Sequence, residues 1–85
     1  MSTRVDDSYQ GGIDVTPSDT ENIQFPTGIT YGRAVYVSET GNVSAVLADG
    51  SELLFTFMTA GVFHKISVVR INSTGTTATG IKVMY

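Results

Sequence analysis

Residues 43–58 read VSAVLADGSELLFTFM, and this stretch decides the fold. Val43, Ala45 and Leu47 alternate with Ser44, Val46 and Ala48. Leu53, Phe55 and Phe57 alternate with Leu54, Thr56 and Met58. A period of two sends successive side chains to opposite faces of a pleated strand. Asp49-Gly50 lies between the two runs, and Asp-Gly flanked by alternating apolar residues is a strong hairpin signal. The expected connection is a type I′ turn, with positive φ at both Asp49 and Gly50.

The same pattern continues on either side. Residues 34–37 (AVYV) form a short β-rich run, and residues 66–71 (ISVVRI) and 81–85 (IKVMY) alternate again. Turn residues separate the runs at 39–42 (ETGN), 59–61 (TAG) and 72–75 (NSTG). Pro17 and Pro26 precede the hairpin region, outside any central strand. No window carries an apolar stripe of helical period and length. Five to seven short strands at this spacing predict an all-β domain, a small antiparallel sandwich or barrel.

Composition agrees and excludes several classes. The 85 residues include twelve Thr, nine Gly and sixteen Val or Ile, with 15 % charged residues. A quarter charged is usual for soluble domains, and disorder requires more charge and fewer β-branched residues. The absence of Cys excludes a disulfide framework, a thiolate nucleophile and a cysteine-built zinc site. No apolar run approaches the roughly 20 residues of a membrane span, so no membrane is expected as a partner. The N-terminus lacks an apolar h-region, so no signal peptide is expected. Five scattered cations in an acidic chain leave no footprint for nucleic acid.

Charge is unevenly spread. Residues 1–22 hold five acids against Arg4 alone, whereas residues 23–85 hold four cations against three acids. The first segment also carries Gly11-Gly12 and little periodicity. Residues 1–14 therefore read as an N-terminal arm, flexible when alone, and residues 15–85 as the β domain. Below about 70–80 residues a single core rarely supplies more than about 3–5 kcal/mol. Yet apolar residues occupy both faces of several strands, with Leu54 opposite Phe55, Met58 opposite Phe57 and Val69 opposite Val68. One face serves the core and the other requires a partner, so Leu54, Met58 and Val69 are candidate contacts in a homo-oligomer.

Chemistry is thinly represented. His64 is the only acid/base candidate near neutral pH, and no nucleophile or orienting carboxylate is paired with it in the sequence. No catalytic residue and no cofactor is expected. Asp14, Asp19 and Glu21 lack the spacing of a calcium loop. They read better as a turn in which Ser18 or Asp19 accepts bonds from nearby backbone amides. Asn42 and Asn72 head glycosylation sequons but sit at turns, where Asn is expected anyway. Tyr9, Tyr31, Tyr36, Tyr85 and the four Phe lack the cationic groove of a nucleic-acid platform and read as core and interface. A carbohydrate- or receptor-binding β-module is the alternative, although Trp is absent.

An ordered set of short motifs adds to this reading. Residues 15–20 are VTPSDT, 33–37 RAVYV, 41–43 GNV and 47–50 LADG, followed by Phe55. Then come TAG at 59–61, VVRI at 68–71 and TGTTAT at 74–79. In this order the chain resembles the head spike base proteins, small virion proteins of phages and gene transfer agents. The likeness spans residues 15–83. Two segments depart from it: residues 21–32 are longer than the usual link, and residues 62–65 (VFHK) replace a plain apolar stretch.

The resemblance implies a non-enzymatic structural protein on the outside of a tailed-phage capsid, assembled in the bacterial host cytoplasm. There it would act as a decoration or cement protein, or as the base of a head spike or fibre. The implied partners are the major capsid protein, a head fibre protein and further copies of the chain, as a trimer or pentamer. A collar or tail component is the other phage reading. The expected contacts to the capsid or the next subunit lie in the arm and the VTPSDT turn: Arg4, Asp6, Asp7, Tyr9, Val15, Thr16, Pro17, Ser18 and Asp19.

Overall fold

The computed structural model describes residues 9–85. Six strands follow one another: β1 (Gly12–Asp14), β2 (Ala34–Tyr36), β3 (Gly41–Leu47), β4 (Glu52–Met58), β5 (Val68–Ile71) and β6 (Lys82–Met84). There is no helix among the described residues. The strands form two antiparallel three-stranded sheets, β1-β6-β2 and β4-β3-β5. The core lies between them, with Val35 and Val83 from one sheet and Val43, Ala45, Val68 and Ile71 from the other. The domain is thus all-β, a small β-sandwich, and the open choice between sandwich and barrel resolves to the former.

The β3–β4 hairpin forms where expected, but its turn differs. Gly50 N–H donates to Leu47 O at 2.9 Å, and Leu47 N–H donates to Ser51 O at 2.7 Å. The loop therefore has three residues, and only Gly50 has positive φ, at 94°. This is a type I turn followed by a left-handed residue, not a type I′ turn. Glycine adopts that conformation without a Cβ penalty, whereas Asp49 would be strained there. Asp49 instead turns its Oδ1 to the Ser51 N–H at 2.9 Å.

A second departure changes which side chains are inside. Gly41 pairs with Met58 and Val43 with Phe55, so Thr56 and Phe57 together face Asn42. This is a β-bulge, and the extra residue resets the alternation beyond it. Phe57 takes φ 54° and is 79 % exposed, while Met58 turns inward and is 5 % exposed. Asn42 Oδ1 accepts the Phe57 N–H at 3.2 Å and closes the gap in the ladder. The expectation that Met58 faces a partner is therefore corrected: Met58 is a core residue and Phe57 is the exposed one.

The boundary drawn between residues 14 and 15 also moves. β1 pairs with β6, and Gln10 N–H donates to Tyr85 O at 2.6 Å. Asp14 stands opposite Lys82, whose Nζ donates to its Oδ1 at 2.5 Å. Three residues, one of them Gly12, are too short to show a period, but backbone pairing needs no side-chain pattern. Residues 12–14 are thus part of the sheet, and Gln10 and Gly11 bond to Tyr85 beside it, so none of the five belongs to a free arm. Arg4, Asp6 and Asp7 lie outside the described residues.

Two loops close sheet edges. The strap over residues 15–32 runs along β5, with Ser18 N–H bonded to Ile71 O at 2.8 Å, Ile23 N–H to Val69 O at 2.9 Å and Gly32 N–H to Val68 O at 2.8 Å. Along β2, Val35 and His64 exchange both backbone bonds at 2.8 Å, and Gly61 N–H donates to Val37 O at 3.1 Å. These covers include the two segments, 21–32 and 62–65, that depart from the resembled pattern. Covering a strand's free edge is a usual guard against unwanted pairing.

Candidate interaction surface

The core is built from small side chains. Its buried apolar residues are Val, Ala, Ile and the single Met58, with no Leu, Phe or Tyr among them. Phe25, Leu47 and Phe55 pack half-buried against the core, and several other bulky apolar groups lie outward. On β4, Leu53 is 48 % exposed and Leu54 is 55 % exposed, and Phe57 projects furthest. Val62 and Phe63 in the next loop are also about half exposed, and residues 53–63 carry no charged side chain. Alternation puts Leu53 and Phe57 on the face of Phe55, yet Leu53, opposite the small Ala45, stays half exposed and the bulge turns Phe57 outward.

The strap residues are committed within the chain. Val15 is partly buried against the core and its N–H reaches Ile81 O at 2.9 Å. Thr16 is exposed, and Pro17 and Ser18 are half-buried. Ser18 Oγ accepts the N–H groups of Thr20 at 3.3 Å and Glu21 at 3.2 Å, as the turn reading anticipates. Asp19 does something the sequence does not show. It crosses to the 72–75 turn, where it accepts the Thr74 hydroxyl at 2.6 Å and the Thr74 N–H at 2.9 Å. These donors, the hydroxyl foremost, hold the Asp19 carboxyl below the usual carboxylate range. VTPSDT is thus latched onto the start of TGTTAT.

Beneath the latch lies a polar network. Asn72, the buried polar residue, donates its N–H to Ser44 O at 2.8 Å and its Nδ2 to Ser44 Oγ at 3.2 Å. Its Oδ1 accepts Arg70 Nε at 3.0 Å, and Arg70 reaches Glu52 at 3.5 Å. Asp19, Ser44, Glu52, Asn72 and Thr74 line a cleft of about 330 Å³. No group of three or more His, Asp or Glu gathers among the described residues. Asp14 pairs with Lys82 and Asp19 with Thr74, so the acidic stretch does not converge.

Beside the other sheet, aromatic groups cluster at tilted angles around Phe63. Its ring centroid lies 5.7 Å from Tyr9 and 5.4 Å from Tyr36, and the Arg33 guanidinium sits 5.6 Å from the Tyr9 centroid. His64 Nε2 donates to Thr59 O at 2.9 Å, which ties the 59–64 loop together. Tyr9 is thus held by its own chain. Leu54 and Val69 lie on opposite edges of one sheet with β3 between them, and the strap covers the Val69 edge. Of the expected contact residues, Leu54 alone is among the exposed large apolar residues of β4.

No protein-family model matches the chain, and the curated proteins contain no match to it.

Proposed function

We propose that this chain is a non-enzymatic structural protein on the exterior of a tailed-phage capsid, a decoration protein or the base of a head spike or fibre. The observation that carries the reading is the outward placement of Leu53, Leu54 and Phe57 on β4, beside a buried core of Val, Ala, Ile and Met58. A small monomer gains little from exposing three large apolar groups on one short strand, and exposed apolar surface beyond scattered single residues marks sites of association. The chain has the form of an assembly part, completed by other copies and by the major capsid protein.

The resemblance supplies the capsid, and the motif positions support it. VTPSDT and TGTTAT meet at the Asp19–Thr74 latch, LADG makes the β3–β4 turn, and VVRI is β5. Motifs scattered over sixty residues thus coincide with points that set the fold. Several identical weak patches on one oligomer raise avidity by about 10²–10⁴ over a single contact.

The test is co-sedimentation of the full chain with capsids stripped of their outer proteins, with immunogold labelling of whole particles. Saturable binding and labelling on the shell support the reading. Labelling confined to the collar or tail, or no binding, refutes it. Deleting residues 2–12 is expected to lower capsid occupancy, because Gly12 begins β1 and the segment before it has no core-forming sequence pattern of its own, which assigns it to contacts with the capsid or the next subunit.

A further inference from the structure

Four sheet edges exist in the described chain, and three are managed. The strap covers β5, the 61–64 loop covers β2, and β1 is only three residues long with Asp14 tied to Lys82. The outer side of β4 has no backbone partner among the described residues, and β4 is seven residues long. Its Glu52 and its bulge sit at the two ends, and the stretch between them carries neither a charge nor the Pro with which exposed edges are usually blunted.

We infer that the β4 edge is the subunit interface and that its occupant is β4 of a second copy, paired antiparallel about a two-fold axis at Leu54. This rests on the oligomeric part of the proposed function and not on the capsid.

The register follows from the ladder. Asn72 N–H donates to Ser44 O on the β5 side, so Ser44 turns its backbone away from β4. Its cross-strand partner Leu54 therefore turns its own N–H and C=O to solvent, and Glu52 and Thr56 do the same by alternation. A two-fold axis at Leu54 sets Leu54 against Leu54 and Glu52 against Thr56, which gives about six backbone bonds. The bulge ends pairing beyond Thr56 and leaves Phe57 to pack on the flank.

The second copy is the partner that fits. A strand added here must be apolar on both faces, uncharged through its centre and free on one edge. β4 itself meets all three conditions. In this register the two Glu52 carboxylates are four residues apart along the strands, about 14 Å. That exceeds the ~8 Å screening length at physiological salt, so like charge does not oppose the pair. Since the remaining edges are closed or short, the contact is isologous and ends at two copies, without fibre growth. An even number of chains is therefore expected, in place of the three or five that would match a capsid symmetry axis.

The experiment is sedimentation velocity of the full chain from about 1 to 300 µM, with Leu54→Lys, Leu54→Glu and an equimolar mixture of the two. The wild type is expected to dimerise reversibly, since a single edge contact falls below the size of stable interfaces. Each variant should dimerise at least tenfold more weakly with unchanged far-UV circular dichroism, because like charges then face each other directly. The mixture should restore the dimer. In hydrogen exchange, the amides of Leu54 and Thr56 should gain protection as concentration rises.

A wild type monomeric throughout, a trimer or pentamer unaffected by both substitutions, or a mixture no better than its components overturns the inference. So does protection of β4 that appears only on adding capsids, which would assign the edge to another protein. A β4 dimer that ignores capsids upholds this inference and removes the virion reading.

Discussion

Gly32 is where the chain passes from one sheet to the other, and placing a methyl group there tests how tightly the two are packed. Its N–H donates to Val68 O, and the next residue bonds Met84 O. A Cβ at Gly32 would fall within the van der Waals radius of Val83 Cγ1 and lie 3.4 Å from Val68 Cγ2. Val83 and Val68 are fully buried and β-branched, so neither can rotate away. Overpacking of this kind costs about 1–3 kcal/mol, and Gly32→Ala is expected near the upper end. Val83→Ala alone removes two buried carbons, about 2 kcal/mol with its cavity. Together the two changes compensate, because the new methyl occupies the space of the lost Cγ1. The double variant is expected to be at least as stable as Gly32→Ala alone, a coupling of about 2–3 kcal/mol. Urea unfolding at one protein concentration, followed by far-UV circular dichroism, measures all four corners. Costs that add to within about 0.5 kcal/mol would show that the sheets do not meet at this point.

Two further predictions concern the bulge and the latch. Met58→Ser should destabilise the domain by about 2–4 kcal/mol, while Phe57→Ser at low concentration should change it by no more than about 0.5 kcal/mol. Unbroken alternation would reverse the order, so chemical unfolding of the pair separates the two. The Asp19 and Asp49 carboxyls are held below the usual range by Thr74 and by Ser51. A depressed folded pKa contributes stability that is present above the ordinary value near pH 4 and is lost as pH falls through the folded value. The urea midpoint should therefore drop between about pH 5 and pH 3. Asp19→Asn should lower the midpoint at neutral pH and flatten that drop; an unchanged pH profile in the variant would mean that the latch contributes nothing.

Much of the fold is legible in residues 43–58, because alternation and an Asp-Gly turn are local signals. The rest of the fold is non-local or lacks a side-chain pattern. The bulge is invisible to a count of two, since it depends on Asn42 capping the Phe57 amide from the neighbouring strand. The type of turn depended on Asp49 bonding Ser51 instead of adopting positive φ. β1 is held by backbone bonds around two glycines, which leave no apolar rhythm to read. Ser18 as an amide acceptor was readable at a spacing of two and three residues, whereas the Asp19–Thr74 latch joins residues fifty-five apart. The expected interaction surface was legible as an excess of apolar residues on two faces. Which of them face out required the bulge, and it exchanged Met58 for Phe57.

The most direct test of the assembly reading is native mass spectrometry of the full chain across a concentration series, alone and after mixing with stripped capsids. A discrete even-numbered oligomer that binds the capsids and is depleted from the free protein is the expected result. A monomer at every concentration that also ignores capsids would contradict it, and would leave the outward Leu53, Leu54 and Phe57 without the partner on which the account depends.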